Sequence, residues 1–108
     1  MENLEGLWIK WSGIESINNI NKLKKLKHLH IGSSSKIEDI SVLGEMKSLI
    51  TLKTEQLSKI TDFSVIGKLT QLEGLGIDGS ITTAQKIDNI EFMSSLQQLK
   101  YLTLAHTQ

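Results

Sequence analysis

Two histidines, His28 and His30, stand two residues apart in "LKHLHI". That spacing puts both imidazoles on one side of an extended segment, where together they could ligate a transition metal. The stretch "GLGIDG", Gly74 to Gly79, fits G-x-G-x-x-G, the pattern whose backbone amides cradle a pyrophosphate. Two tryptophans, Trp8 and Trp11, lie three residues apart in "LEGLWIKWSG". Exposed indoles are frequent anchors of protein interfaces. Catalytic patterns are missing: there is no H-E-x-x-H, no G-x-S-x-G, no Walker loop and no cysteine. What the histidines, glycines and tryptophans can do depends on the elements that carry them.

Those elements repeat. "LEGLWI" begins at Leu4, "LKHLHI" at Leu26, "LITLKT" at Leu49, "LEGLGI" at Leu72 and "LKYLTL" at Leu99, at spacings of 22, 23, 23 and 27 residues. Each reads L-x-x-L-x-apolar, except that Thr54 replaces the last aliphatic of the third copy. The alternation predicts a short half-buried strand. Between copies runs a second apolar ladder with a period of three: Ile14, Ile17, Ile20, Leu23; Ile37, Ile40, Leu43, Met46; Ile60, Phe63, Ile66, Leu69; Ile87, Ile90, Met93, Leu96. On an α-helix four such residues would drift about 180° around the axis. On a 3₁₀ helix, or an extended segment of similar pitch, they stay on one face. Each unit is therefore a strand, a turn and a 3₁₀-like return. One unit cannot bury its apolar rows alone, so the units must stack into a parallel solenoid.

The pattern resembles the leucine-rich repeat family, in the short 22-residue form of bacterial internalin-like proteins. The resemblance runs from residue 4 to 104 and implies an α/β solenoid of about four and a half repeats. Its curved parallel sheet would form the concave face and its 3₁₀ or extended returns the convex one. The family's usual asparagine, which ties turn backbone between coils, falls on Ser12 and near Ser34, Ser58 and Ser80; a hydroxyl can serve some of those bonds, but an unbroken asparagine ladder is not present. Residues 1–108 read as a single repeat domain or as an excerpt of a longer solenoid, with apolar cross-sections expected at both ends. Extra residues within 79–88 lengthen the fourth repeat and read as rim decoration.

This register assigns outward columns across the strands. One is Gly6, His28, Thr51, Gly74, Tyr101; the next is Trp8, His30, Lys53, Gly76, Thr103; a third is Lys10, Gly32, Glu55, Asp78, Ala105. Trp8 points outward because Leu7 and Ile9 are core positions, and Trp11 follows at the strand exit. The pair either binds a partner or covers the first repeat. The glycines of "GLGIDG" fall inside a strand with no helix opening after it, so a nucleotide site is not expected; they predict a patch of bare backbone instead. The histidines have no carboxylate beside them in the columns, and His106 is three strands, about 14 Å, away. They read as surface residues, with no metal or other cofactor. The basic run "NKLKKLKHLH" is the solvated side of core positions Leu23, Leu26 and Leu29.

Twelve basic and twelve acidic residues cancel, so no global field recommends nucleic acid or a membrane as partner. No apolar run approaches 18 residues and no signal-peptide core follows Met1; a cytoplasmic location is the expectation. The Ile, Lys, Asn and Ser bias is of a bacterial kind. The reading is a non-enzymatic module binding a protein through its concave face, as an adaptor or an immunity-type protein that blocks a toxin. Trp8, Lys10, Trp11, His28, His30, Lys53, Glu55, Asp78 and Tyr101 are its contact residues. The alternative is a structural segment that self-associates by stacking its exposed ends.

Overall fold

Every L-x-x-L-x-L copy forms a strand that starts at its third residue: β1 (Gly6–Lys10), β2 (His28–Gly32), β3 (Thr51–Glu55), β4 (Gly74–Asp78) and β5 (Tyr101–Thr103). A computed structural model describes residues 3–10, 16–32, 36–79, 84–104 and 107, with Lys10 described by its backbone alone. The strands make one parallel sheet in the order β1-β2-β3-β4-β5. The register is unbroken, Leu7 against Leu29, Leu29 against Leu52, Leu52 against Leu75 and Leu75 against Leu102. Sheet order equals chain order because each return is just long enough to bring the chain back beside its previous strand. The chain is a leucine-rich-repeat solenoid.

The returns are 3₁₀ helices, η1 (Asn18–Lys22), η2 (Ser41–Glu45), η3 (Ser64–Lys68) and η4 (Glu91–Ser95). Their period of three is also a hydrogen-bond period. The amide of each ladder residue donates to the carbonyl of the ladder residue three before it: Ile20 to Ile17 at 3.1 Å, Leu23 to Ile20 at 2.9 Å, Leu26 to Leu23 at 3.1 Å. The same chain runs through Ile40, Leu43, Met46 and Leu49, through Phe63, Ile66, Leu69 and Leu72, and through Ile90, Met93, Leu96 and Leu99. The side chains that face the core thus sit on backbone that is already paired, which is what burying it requires.

Entry to each return is capped alike. Ser16, Asp39, Asp62 and Asn89 each accept, through a side-chain oxygen, the amide two residues on, at 3.1, 2.8, 2.9 and 3.2 Å. These local turns orient the chain into the 3₁₀ segment. Neighbouring returns then approach closely. A Cβ on Gly44 would lie 2.9 Å from Val65 Cγ2, so only glycine fits between η2 and η3 without displacement.

Burial follows the stack. Leu29, Ile31, Leu43, Leu52, Ile66 and Ile77 in the middle coils are buried, and Thr54 shares their row although it carries a hydroxyl. Leu4, Leu7 and Leu23 at one end are only partly covered, and Ile90 and Leu102 at the other are exposed. In the same first coil Ile17 and Ile20 are nevertheless buried. Exposed ion pairs link adjacent coils, Lys27 with Glu5, Lys59 with Glu38 and Lys100 with Glu73; pairs of this kind contribute about 0–1 kcal/mol each. Among the described residues no helix is long and apolar enough to cross a membrane.

Of the serines at the family's asparagine position, Ser12, Ser34 and Ser80 lie outside the described residues, and Ser58 is exposed. Among the described residues a polar tether comes from Gln85, in the segment read as decoration and only 2% exposed. Its Oε1 accepts the Leu57 amide at 2.8 Å, while its Nε2 donates to the carbonyls of Leu57 at 3.1 Å and Ile60 at 2.9 Å. One amide side chain thereby serves both backbone groups of a fully buried residue. Gln85 also forms an isolated parallel bridge with Thr107.

Gln85→Ala leaves the Leu57 amide and the Ile60 carbonyl without this partner, while the Leu57 carbonyl keeps the Ile60 amide at 3.1 Å; it is expected to cost about 2–4 kcal/mol in urea unfolding, and an unchanged midpoint would show that the tether is dispensable. The Ser41 amide holds the Asp39 carboxyl below the usual carboxylate range, and hydrogen bonds from Ser64, its hydroxyl first, do the same for Asp62. A depressed folded-state pKa means stabilisation that is complete above the ordinary carboxylate value and lost as pH falls through the folded one. The double change Asp39→Asn/Asp62→Asn keeps the acceptor and removes the titration. Its melting temperature should fall less steeply than wild type on acidification below about pH 4.

Candidate protein-binding face

On a strand, alternate residues point to opposite sides, so once Leu7, Ile9 and their counterparts face the core the intervening side chains must line the concave face. The observed pairing places Gly6, His28, Thr51, Gly74 and Tyr101 in one row across the sheet. Trp8, His30, Lys53, Gly76 and Thr103 form the next, and Lys10, Gly32, Glu55 and Asp78 the third. Trp11 and the side chain of Lys10 lie outside the described residues.

Trp8 is 69% exposed. Its ring tilts at 53° over His30 with centroids 5.4 Å apart. It stands at the lip of a shallow cavity of about 270 Å³ whose floor includes Thr51, Lys53, Gly74, Gly76 and Thr103. The larger apolar cavity at the β1 end is lined by Leu7, Ile9, Ile17, Ile20 and Leu23, among others. Trp8 thus belongs to the face rather than to the end. Tyr101, 73% exposed, occupies the opposite edge of the face, four strand spacings or about 19 Å away.

Between the two aromatics the face departs from a flat column model in three places. First, a carboxylate does approach the histidines: Glu55 Oε2 lies 3.5 Å from His30 Nε2, an ion pair when the imidazole is protonated. In the register His30 faces Lys53 and Glu55 faces Gly32, so the contact is diagonal. Reading only directly opposite neighbours missed it. His28 Nδ1 shares a 2.7 Å hydrogen bond with Thr51 Oγ1. Among the described residues no three histidine, aspartate or glutamate side chains converge as a metal site would need.

Second, the glycine patch is not bare. Gly74 and Gly76 are buried because neighbours lean over them. A Cβ on Gly76 would meet Thr103 Oγ1 at 2.8 Å and Lys53 Cγ at 3.1 Å, and one on Gly74 would meet Thr51 Cγ2 at 3.2 Å. Missing side chains are filled laterally on a sheet whose strands are about 4.8 Å apart. Third, Asp78 is only 7% exposed. It accepts from Thr103 Oγ1 at 3.2 Å and lies 3.9 Å from Lys53 Nζ. Its carboxylate positions these two side chains more than it meets solvent. Thr51 and Thr103 were therefore the face residues passed over, although the column register contained both.

No protein-family model matches the chain, and neither does any curated relative. Among solved structures it is similar to an internalin from Listeria monocytogenes, at 28% sequence identity and a TM-score of 0.76. The likeness covers 97% of this chain, which spans 29% of the length of that protein.

Proposed function

We propose that the chain is a non-enzymatic protein-interaction module that engages a protein partner through the concave face of its sheet. The observation that carries this reading is Trp8, an indole 69% exposed at the lip of a shallow cavity and steadied by His30. Exposed tryptophan flanked by polar groups is what an interface anchor looks like before its partner arrives. Tyr101 supplies a second anchor across the face, and His28, His30, Lys53 and Glu55 offer polar contacts between the two. Asp78 acts from below by holding Lys53 and Thr103. We assign Lys10 and Trp11, which follow Trp8 in the chain, to the same patch.

The likeness to an internalin supports an interaction module in general. An open sheet face is poorly suited to excluding water from a reaction, which favours binding over catalysis. The balanced charge of the chain favours a protein over nucleic acid or an anionic membrane. An adaptor, or an immunity-type protein that blocks a toxin, would use such a face.

The test begins with capture from a lysate of the source organism, using wild type and Trp8→Ala in parallel, followed by calorimetry on the partner retained by wild type alone. Trp8→Ala should weaken that binding by about 2 kcal/mol or more while leaving the melting temperature nearly unchanged. Unchanged affinity together with a large drop in melting temperature would assign Trp8 to stability and sink the reading.

A further inference from the structure

We propose that the cavity beside Trp8 takes one aromatic side chain of the partner protein, flanked in that partner by Asp or Glu, whose carboxylate meets Lys53. This rests on the concave-face reading and names the chemistry that the face selects. The cavity encloses about 270 Å³. That is just under the roughly 300 Å³ at which pockets for drug-sized ligands begin, so the space suits a single large side chain. Its lining is mostly carbon. Trp8 forms one wall, and the strands contribute backbone at Leu29, Leu52 and Leu75, whose side chains are buried on the other side of the sheet.

Charge sets what accompanies that side chain. Of the described residues that line the cavity, Lys53 alone is an Asp, Glu, Lys or Arg. Its side chain is 49% exposed, and the carboxylate oxygen paired with its Nζ, Asp78 Oδ2, stands 3.9 Å away, beyond hydrogen-bond reach. The two carboxylates of the neighbouring row do not line the cavity. Asp78 is largely buried and accepts from Thr103, while Glu55 turns to His30. His28 and His30 are neutral or positive and never negative. The lining thus presents one ammonium and no carboxylate. An incoming carboxylate gives that ammonium the hydrogen-bonded partner that Asp78 does not. A cationic residue at the same place meets Lys53 as a like charge.

The sheet also decides that the carboxylate belongs to a side chain. A chain terminus is captured by unpaired backbone amides that converge on it. Under this cavity β2, β3 and β4 each have a strand on both sides, so the parallel ladder uses their amides and none converges on a ligand. What is left for an anion is a single flexible ammonium, which a side-chain carboxylate next to the inserted ring can reach. The occupant is therefore an internal acidic segment of the partner and not its end.

The probes are short peptides titrated into isotope-labelled protein and followed by NMR: acetyl-Asp-Phe-Asp-amide, its Lys-Phe-Lys and Asp-Ala-Asp counterparts, and acetyl-Gly-Phe with a free carboxyl terminus. Wild type should bind Asp-Phe-Asp about fivefold or more tightly than each of the others, with shifts at the Trp8 indole and the Gly74 and Gly76 amides. Lys53→Met keeps an apolar stem over Gly76 and removes the charge. Checked for folding by circular dichroism, it should weaken Asp-Phe-Asp about fivefold and bring it level with Lys-Phe-Lys. Equal affinity of wild type for the acidic and basic peptides, an unaltered preference in Lys53→Met, shifts away from the cavity, or binding by none of the peptides would overturn the proposal. So would tighter binding of the peptide with the free terminus, since the occupant would then be a chain end. The captured partner separates this test from that of the concave face. A partner lost by Trp8→Ala but held at full affinity by Lys53→Met keeps the concave-face reading and removes this one. A partner indifferent to Trp8→Ala, beside an intact preference for Asp-Phe-Asp, keeps the chemistry of the cavity and removes Trp8 as an anchor.

Discussion

The structure depends on one constraint: no coil can bury its own apolar rows. A strand contributes two inward aliphatics and a return contributes one face of a 3₁₀ helix, which together enclose nothing until a second coil covers them. Middle residues such as Ile31 and Leu43 are buried because coils lie on both sides, whereas Leu7 and Leu102 have the same chemistry and remain partly open. Backbone pairing follows the same logic. Within a coil the ladder residues bond to one another at intervals of three, and between coils the strands bond in parallel register. Stability is thus passed from neighbour to neighbour.

That constraint also decides what the concave face can be. Strands at about 4.8 Å give each outward side chain a lateral neighbour on either side, so its conformation is set as much by adjacent coils as by its own. Glu55 reaches diagonally to His30, and glycines at 74 and 76 draw Thr51, Lys53 and Thr103 over the floor. The outcome is a shallow depression between Trp8 and Tyr101 rather than the open strip of backbone that the glycines suggested.

Periodicity made the fold legible. The L-x-x-L-x-L copies located all five strands, and the strict period of three separated a 3₁₀ return from an α-helix before any coordinates. The outward columns agree residue for residue with the observed pairing wherever it is described. What escaped was contact that leaves its own column. The diagonal Glu55–His30 pair and the leaning threonines depend on side-chain reach, which a column diagram omits. Gln85 escaped for another reason: it lies in an irregular insertion, so no repeat position marks it, and its tether to Leu57 spans 28 residues, more than a whole coil. The caps at Ser16, Asp39, Asp62 and Asn89 were open to reading, since each stands just before an apolar ladder residue. Their polar side chains fall outside both apolar ladders, which alone carry the repeat period.

On the concave face, then, the sheet uses up the backbone and side chains carry what is left. The strands pair in parallel register throughout, Gly74 and Gly76 are covered by Thr51, Lys53 and Thr103, and Asp78 is tied to Thr103 and Lys53. Trp8 and Tyr101 stand out of this floor, 69% and 73% exposed, because strand alternation gives neither an inward position.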